Sequence, residues 1–192
     1  MSKLPEFLYV SWKEFHKIGF ELSKEIKNTI KDIDQIVSIS RGGNIPSRIL
    51  SDFLDLPIFS FSIQSYSSIQ EQGELKILQE LSAEVLQEHI LLVDEVTDSG
   101  KTLKRALEYL KELEVPKVTS VSFHVKPHAI IKPDFYADET SKWIIYPYEI
   151  KETIDLLIPI WEQAGLKQKD LLEKLTSLGL DQEYLTFFLE KK

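Results

Sequence analysis

The stretch from Ile90 to Thr102, I-L-L-V-D-E-V-T-D-S-G-K-T, leaves few folds open to this chain. Four consecutive apolar residues, Ile90 to Val93, make a short uninterrupted run. Such a run suits a strand buried on both faces, as in a parallel sheet. Asp94 and Glu95 follow at once, where that strand would leave the sheet. A small polar turn with one glycine comes next, Thr97-Asp98-Ser99-Gly100-Lys101-Thr102. Beyond it Leu103, Ala106, Leu107, Leu110 and Leu113 recur at helical spacing. In an open α/β sheet, the carboxyl ends of the strands are where ligands bind.

The chemistry of this stretch suits a sugar phosphate. Backbone N–H groups at a helix start, with hydroxyls from Thr97, Ser99 and Thr102, match a phosphate monoester. Carboxylates just before the loop can accept from sugar hydroxyls or hold a hard cation. Gly100-Lys101-Thr102 also looks like the end of a nucleotide-binding P-loop, but that pattern needs glycine where Glu95 stands. No Gly-x4-Gly-Lys-Ser/Thr occurs upstream, so an ATPase is disfavoured. An ordinary strand–turn–helix with solvated acids would account for the strand and the acid pair, but not for the loop composition.

Asp94-Glu95-Val96-Thr97-Asp98-Ser99-Gly100-Lys101-Thr102 resembles the phosphoribosyl-pyrophosphate (PRPP) motif of type I phosphoribosyltransferases. That motif has two acids, an apolar pair and then Asp/Thr-Thr/Ser-Gly-x-Thr; Thr97 is polar where many members are apolar. Ser40-Arg41-Gly42-Gly43 follows another short apolar strand, Gln35 to Ser40. By itself it reads as a tight turn with a solvated Arg, or as a close-approach loop with a charge suited to phosphate. Within the resemblance it matches the pyrophosphate loop of purine members, which implies a non-proline cis peptide at Ser40-Arg41. Glu74-Leu75-Lys76-Ile77-Leu78 is similar to the strand leaving the lid of xanthine–guanine enzymes, with Gly73 in place of a usual Arg and Lys76 as the remaining cation. Trp143-Ile144-Ile145-Tyr146-Pro147-Tyr148-Glu149 is similar to the family's Trp-Ile-x-x-Pro-Trp-Glu stretch.

The resemblance covers roughly residues 8 to 160 and implies a mainly parallel α/β sheet flanked by helices, with a small hood. The implied activity is that of a 6-oxopurine phosphoribosyltransferase of the xanthine–guanine and hypoxanthine–guanine kind. PRPP and guanine, hypoxanthine or xanthine would give a nucleoside 5′-monophosphate and pyrophosphate, with Mg²⁺ as cofactor. Asp94 and Glu95 are then expected at the ribose hydroxyls and the metal. Thr97, Asp98, Ser99, Gly100, Lys101 and Thr102 are expected at the 5′-phosphate, and Arg41, Gly42, Gly43 and Lys76 at pyrophosphate. Lys126, Trp143 and Ile144 are expected at the base, with Asp98 as catalytic base; by spacing alone Asp98 could equally cap the next helix. A homodimer or higher homo-oligomer is implied too. Two alternatives stand beside this: a regulatory protein of the same fold that senses PRPP or nucleotide, and an enzyme for adenine or a pyrimidine.

Composition bounds the partners. A formal charge of −8 and a pI near 5.1 argue against a nucleic-acid surface, though not against a local basic pocket. The chain has no cysteine, so thiolate and disulfide chemistry are excluded. No apolar run approaches membrane-spanning length, and M-S-K-L-P-E lacks the pattern of a secretory signal, so a cytoplasmic protein is expected.

The remaining chain fits one catalytic domain over residues 1–164 and a helical appendage over 165–192. Ser11-Trp12-Lys13-Glu14 is a capping box opening a helix with Trp12, Phe15, Ile18, Leu22 and Ile26 on a core-facing side. Pro46 stands in the first turn of a helix carrying Ile49, Leu50, Phe53 and Leu54. Leu56 to Ser62 alternates as a strand, and Gln64 to Gly73 reads as a polar connection, assigned to the lid by the resemblance. Val118 to Val125 is a further strand ending at Lys126-Pro127. His124 and His128 flank that proline outside a helix, which does not suit a metal pair; both read as structural or solvated. Glu149 to Trp161, Lys169 to Leu178 and Asp181 to Leu189 read as helices.

Overall fold

The computed structural model describes residues 6–68, 71–82, 86 and 88–189. In chain order the elements are β1 (Phe7–Tyr9), α1 (Trp12–Thr29), β2 (Gln35–Ser40), α2 (Asn44–Leu54), β3 (Ile58–Ser68), β4 (Glu71–Gln79) and β5 (His89–Thr97). They continue with α3 (Lys101–Glu112), β6 (Lys117–Val125), β7 (Phe135–Glu139), β8 (Trp143–Ile145), α4 (Ile150–Gln163), α5 (Gln168–Ser177) and α6 (Gln182–Leu189). Two compact units form, one from His16–Thr140 and one from the two chain ends, Met1–Phe15 with Ser141–Lys192. Among the described residues, no helix is long and apolar enough to cross a membrane.

The His16–Thr140 unit is built on a six-stranded sheet in the order β4-β3-β2-β5-β6-β7. Every neighbouring pair is parallel except β3 with β4. The apolar run of β5 sits between β2 and β6, and Ile90 to Val93 are all at most 1 % exposed. Burying each such side chain stabilises the fold by about 1.5–3 kcal/mol. Ile90 and Leu92 join Leu103, Ala106 and Leu110 of α3 in one core cluster with Val37, Ile39 and Phe61. Alternation turns Leu91 and Val93 to the opposite face.

The strand order places a topological switch between β2 and β5. From β2 the sheet grows outward to β3 and β4, and from β5 it grows the other way to β6 and β7. The loops after β2 and β5 therefore flank the crevice where open α/β sheets take ligands.

Three differences from the sequence expectations have physical causes. Of the polar connection read over residues 64–73, 64–68 and 71–73 are strand, in an antiparallel β3–β4 hairpin, while 69 and 70 lie outside the described residues. Polar side chains at a sheet edge carry no apolar alternation to mark them as strand. Strands β1 and β7 leave no strand pattern in the sequence either. One is only three residues long, and four of the five residues in the other are exposed at the sheet edge. Trp12, expected in the core, is 55 % exposed, with its ring 6.1 Å from that of Tyr148. The capping box itself forms, since Ser11 Oγ accepts from Glu14 N–H at 3.2 Å and Glu14 Oε2 accepts from Ser11 N–H at 2.9 Å.

In the unit formed by the chain ends, β1 pairs in parallel with β8, and α4, α5 and α6 complete a separate core. Trp161 is fully buried, with Phe7 edge-on at 6.3 Å and Lys174 Nζ 4.5 Å from its ring. Leu171, Leu175, Leu180 and Leu185 from residues 165–192 share this core with Ile154, Leu157 and Ile158 of α4. Gly179 follows α5 with φ of +99°, and a Cβ there would lie 2.8 Å from the Tyr9 ring. Only glycine supplies both that turn and that approach.

Candidate active site

Asp94 and Glu95 stand near the carboxyl end of β5, both half-buried. Glu95 N–H donates to Asp94 Oδ1 at 3.0 Å. Burial, and then the neighbouring charge of Glu95, push the Asp94 carboxyl well above the usual carboxylate range. A cation between the pair would relieve that repulsion, and two hard oxygen donors suit Mg²⁺. Among the described residues, no group of three or more His, Asp or Glu side chains is arranged around a metal position. An ion held here would therefore take its other ligands from water or phosphate oxygens, as Mg²⁺ commonly does.

The loop after β2 reaches the acid pair through its glycines. A Cβ on Gly42 would lie 1.5 Å from Glu95 Oε2, so the carboxylate rests directly on the Gly42 backbone. At Gly43 a Cβ would lie 2.3 Å from Val93 O and 2.8 Å from Ile39 O. Gly43 has φ of −65°, so space against backbone, not a left-handed turn, is what it supplies. The Ser40-Arg41 peptide is cis. Asn44 Oδ1 accepts from Ser38 Oγ at 3.1 Å and from Ser40 Oγ at 3.0 Å, tying the start of α2 to the end of β2. Arg41 is exposed at the head of this loop.

The loop after β5 is fixed from the side. Lys126 N–H donates to Thr97 O at 2.9 Å, and Ile130 N–H donates to Ser99 O at 3.0 Å. Gly100 has φ of +79°, and a Cβ there would sit 2.9 Å from both N and O of Ile131. The first i→i−4 bond of α3 runs from Lys104 N–H to Gly100 O. Of the amides before it, Lys101 N–H reaches back to Ser99 Oγ at 3.4 Å; helix-start amides are the groups that receive anions. Thr97 differs from its loop neighbours. It is 3 % exposed inside β5, and its Oγ1 lies 2.7 Å from Ser122 Oγ. What Thr97 offers the loop is its carbonyl, already used by Lys126.

Beyond β6 the chain turns back over the loop after β5. Lys126 is half-buried, and desolvation lowers its ammonium pKa while Asp98 acts in the opposite direction. Asp98 and His128 are exposed, with His128 Nε2 2.9 Å from Asp98 Oδ1. His124, inside β6, is 3 % exposed, and burial lowers its imidazole to about 4. In sequence the two histidines read alike; the structure separates them. Lys126-Pro127 is the cue that was available, because a proline after the strand makes the chain turn back over the Asp98 loop.

One unit thus brings together Arg41, Gly42, Gly43, Asp94, Glu95, Asp98 to Thr102 and Lys126 at the carboxyl ends of β2, β5 and β6. Lys76 lies elsewhere on the same sheet, exposed on β4 and paired in register with Gln64. Trp143 and Ile144 belong to the unit of the chain ends. There Trp143 is 44 % exposed, Ile144 is buried, and Trp143 N–H donates to Glu6 O at 2.7 Å.

The chain belongs to the phosphoribosyl transferase domain family, whose model matches residues 9–153. It is 29 % identical over 145 residues to the xanthine-guanine phosphoribosyltransferase of Idiomarina loihiensis, covering 74 % of this chain and 86 % of that one. Among solved structures it is similar to a purine phosphoribosyltransferase from Pyrococcus horikoshii, at 27 % identity with a TM-score of 0.68. That alignment covers 74 % of this chain and 93 % of the other. The xanthine-guanine-hypoxanthine phosphoribosyltransferase of Helicobacter pylori aligns at 25 % identity with a TM-score of 0.67, covering 77 % and 97 %.

Proposed function

We propose that this phosphoribosyltransferase joins a 6-oxopurine (guanine, hypoxanthine or xanthine) to PRPP, releasing pyrophosphate and a nucleoside 5′-monophosphate. The observation that carries the choice of base is Lys126. Its ammonium is partly desolvated at the end of β6, beside Asp98 and anchored through its own N–H to the loop after β5. Such a group gains from a carbonyl acceptor; purine O6 supplies one, and the exocyclic amine of adenine does not. The relatives named for xanthine, guanine and hypoxanthine point the same way.

The roles of the other residues follow from charge. The anomeric carbon of the ribose gains positive charge as pyrophosphate leaves, so groups that favour separated charge at that stage speed the reaction. Asp94 and Glu95 accept from the ribose hydroxyls and would hold Mg²⁺, which when bound screens the departing phosphates. The amides and hydroxyls from Ser99 to Thr102 hold the 5′-phosphate at the start of α3. Arg41, with the open backbone at Gly42 and Gly43, receives pyrophosphate, and Lys76 adds a cation from β4. Asp98 accepts the proton lost from the purine ring. In this reading residues 1–164 carry catalysis and 165–192 contribute packing.

The test is nucleotide formation from PRPP and Mg²⁺ with guanine, hypoxanthine, xanthine, adenine and orotate, run beside Asp98→Asn. Oxopurine turnover that falls at least 100-fold in Asp98→Asn is the expected result, in line with the about 10²–10⁴-fold worth of a positioned base. Turnover of adenine alone would sink the role given to Lys126. PRPP binding without turnover of any base would make the protein a sensor instead of an enzyme.

A further inference from the structure

The Lys126–Ile130 segment does more than end a strand. Ala129 N–H donates to Lys126 O at 3.0 Å, closing a four-residue turn with Pro127 and His128 at its centre. Proline fixes φ at the first central position, which leaves His128 little freedom of placement. The same segment donates to Thr97 O and to Ser99 O, the carbonyls of the residues on either side of Asp98. The backbones carrying His128 and Asp98 are therefore cross-linked both before and after the aspartate. Across this frame His128 Nε2 lies 2.9 Å from Asp98 Oδ1.

We propose that His128 is a positioning residue for Asp98: its imidazole N–H holds Oδ1, which fixes the carboxylate plane and leaves Oδ2 for the ring N–H of the purine. This deepens the reading of the site given above and rests on it. Facing a carboxylate, Nε2 carries the proton and donates. Without that bond the Asp98 side chain is solvent-exposed and free to rotate about its last torsion, which is broad and roughly two-fold. The pair adds little to stability, being exposed on both sides and flanked by a turn that backbone bonds already hold. Its value lies in orientation. Lys126 also carries a charge near Asp98, so an untethered Asp98 would be free to turn toward Lys126 and lose the geometry that separates the two roles.

The experiment compares wild type, His128→Ala, His128→Gln, Asp98→Asn and the His128→Ala/Asp98→Asn double variant, with thermal unfolding as a check on folding. His128→Ala is expected to lower kcat about 10- to 100-fold, the order of loss for a reacting group misplaced by about an ångström. KM for PRPP should stay within twofold, and the melting temperature should not move. His128→Gln, which restores a donor on a similar reach, should recover kcat to within about threefold of wild type, since the donor and not the ring is what the role requires. In the Asp98→Asn background, adding His128→Ala should have no further effect, because the histidine acts only through that carboxylate. A His128→Ala enzyme within twofold of wild type overturns the proposal. So does a double variant showing the full product of the single losses, or a His128→Gln enzyme as slow as His128→Ala. Wild-type protein that turns over no oxopurine instead removes the reading of the site, and the proposal falls with it.

Discussion

Gly42→Ala separates stability from catalysis at the acid pair. The added methyl would begin 1.5 Å from Glu95 Oε2, 1.9 Å from Cδ and 2.0 Å from Oε1. Ordinary contact needs at least 3.4 Å, so the carboxylate must retreat by roughly 2 Å. What the methyl meets is the far end of a flexible side chain, which can rotate aside. The cost of an adjusted rotamer is about 0.5–1.5 kcal/mol. For a chain of this size that lowers the melting temperature by about 1–6 °C. Activity should suffer far more. A displacement of about 1 Å can cost 10²-fold, so kcat/KM should fall by at least that factor. Gly43→Ala is the matched control, since its methyl would meet Val93 O at 2.3 Å and Ile39 O at 2.8 Å. Backbone cannot rotate aside, so Gly43→Ala should destabilise by at least about 1–3 kcal/mol, the range for forced overpacking. Initial rates of PRPP-dependent nucleotide formation and a thermal melt on each variant decide the matter. A Gly42→Ala enzyme retaining a third of wild-type kcat/KM would refute the account of Glu95. Two variants with equal losses of stability would refute the distinction drawn between side-chain and backbone neighbours.

Further predictions come from other parts of the molecule. Gly100→Ala combines a left-handed φ with a 2.9 Å approach to Ile131, so it should cost more than the about 1–2 kcal/mol of the backbone conformation alone, as read from urea midpoints. His124 is held near pKa 4 when folded against an ordinary 6.5, so its neutral form favours the fold. That contribution is complete above pH 6.5 and is lost as pH falls toward 4. It amounts to about 3 kcal/mol at 1.36 kcal/mol per pH unit. The drop in unfolding free energy between pH 7 and 4 should therefore be smaller by about that amount in His124→Gln; an equal drop would show that His124 is not the group responsible. Trp161→Ala empties the core of the chain-end unit and should cost about 3–5 kcal/mol, visible as a lowered melting temperature.

Legibility in the sequence followed the physics of each segment. Ile90 to Val93, the helices after both glycine-bearing loops, and the acid pair were plain because burial on two faces and helical spacing leave marks in residue type. The placement of the loops after β2 and β5 on either side of the sheet's switch point follows from strand order, which neither the motifs nor the resemblance supplied. Strand β7 and the β3–β4 hairpin were hidden, because edge strands carry polar residues that also suit connections. Thr97 looked like a loop hydroxyl, yet it lies within the last residues of β5 and bonds across to Ser122 on the next strand. A partner 25 residues away leaves no local trace. His128 reads as structural or solvated in sequence for a similar reason. Its meaning lies in a contact with Asp98, 30 residues earlier, that only the turn over Pro127 creates. The C-terminal helices were recognised as helices, but not as companions of β1, since nothing in an amphipathic pattern says which surface it will cover.

That last pairing sets an order for synthesis. Phe7–Tyr9 leave the ribosome well before their register partners, Trp143–Ile145, which come more than a hundred residues later. By then the whole of His16–Thr140 has been made and can assemble its own sheet. From Thr140 to the end of α6 at Leu189, translation takes about 2–10 s at the usual 5–20 residues per second. β1 finds partners for its N–H and C=O groups as soon as β8 emerges, but the core that covers the pair closes only when α4, α5 and α6 have followed. Strand β1 is thus made before the six-stranded sheet and paired after it, so the nascent chain passes through a stage in which that sheet can be complete while β1 is still unpaired.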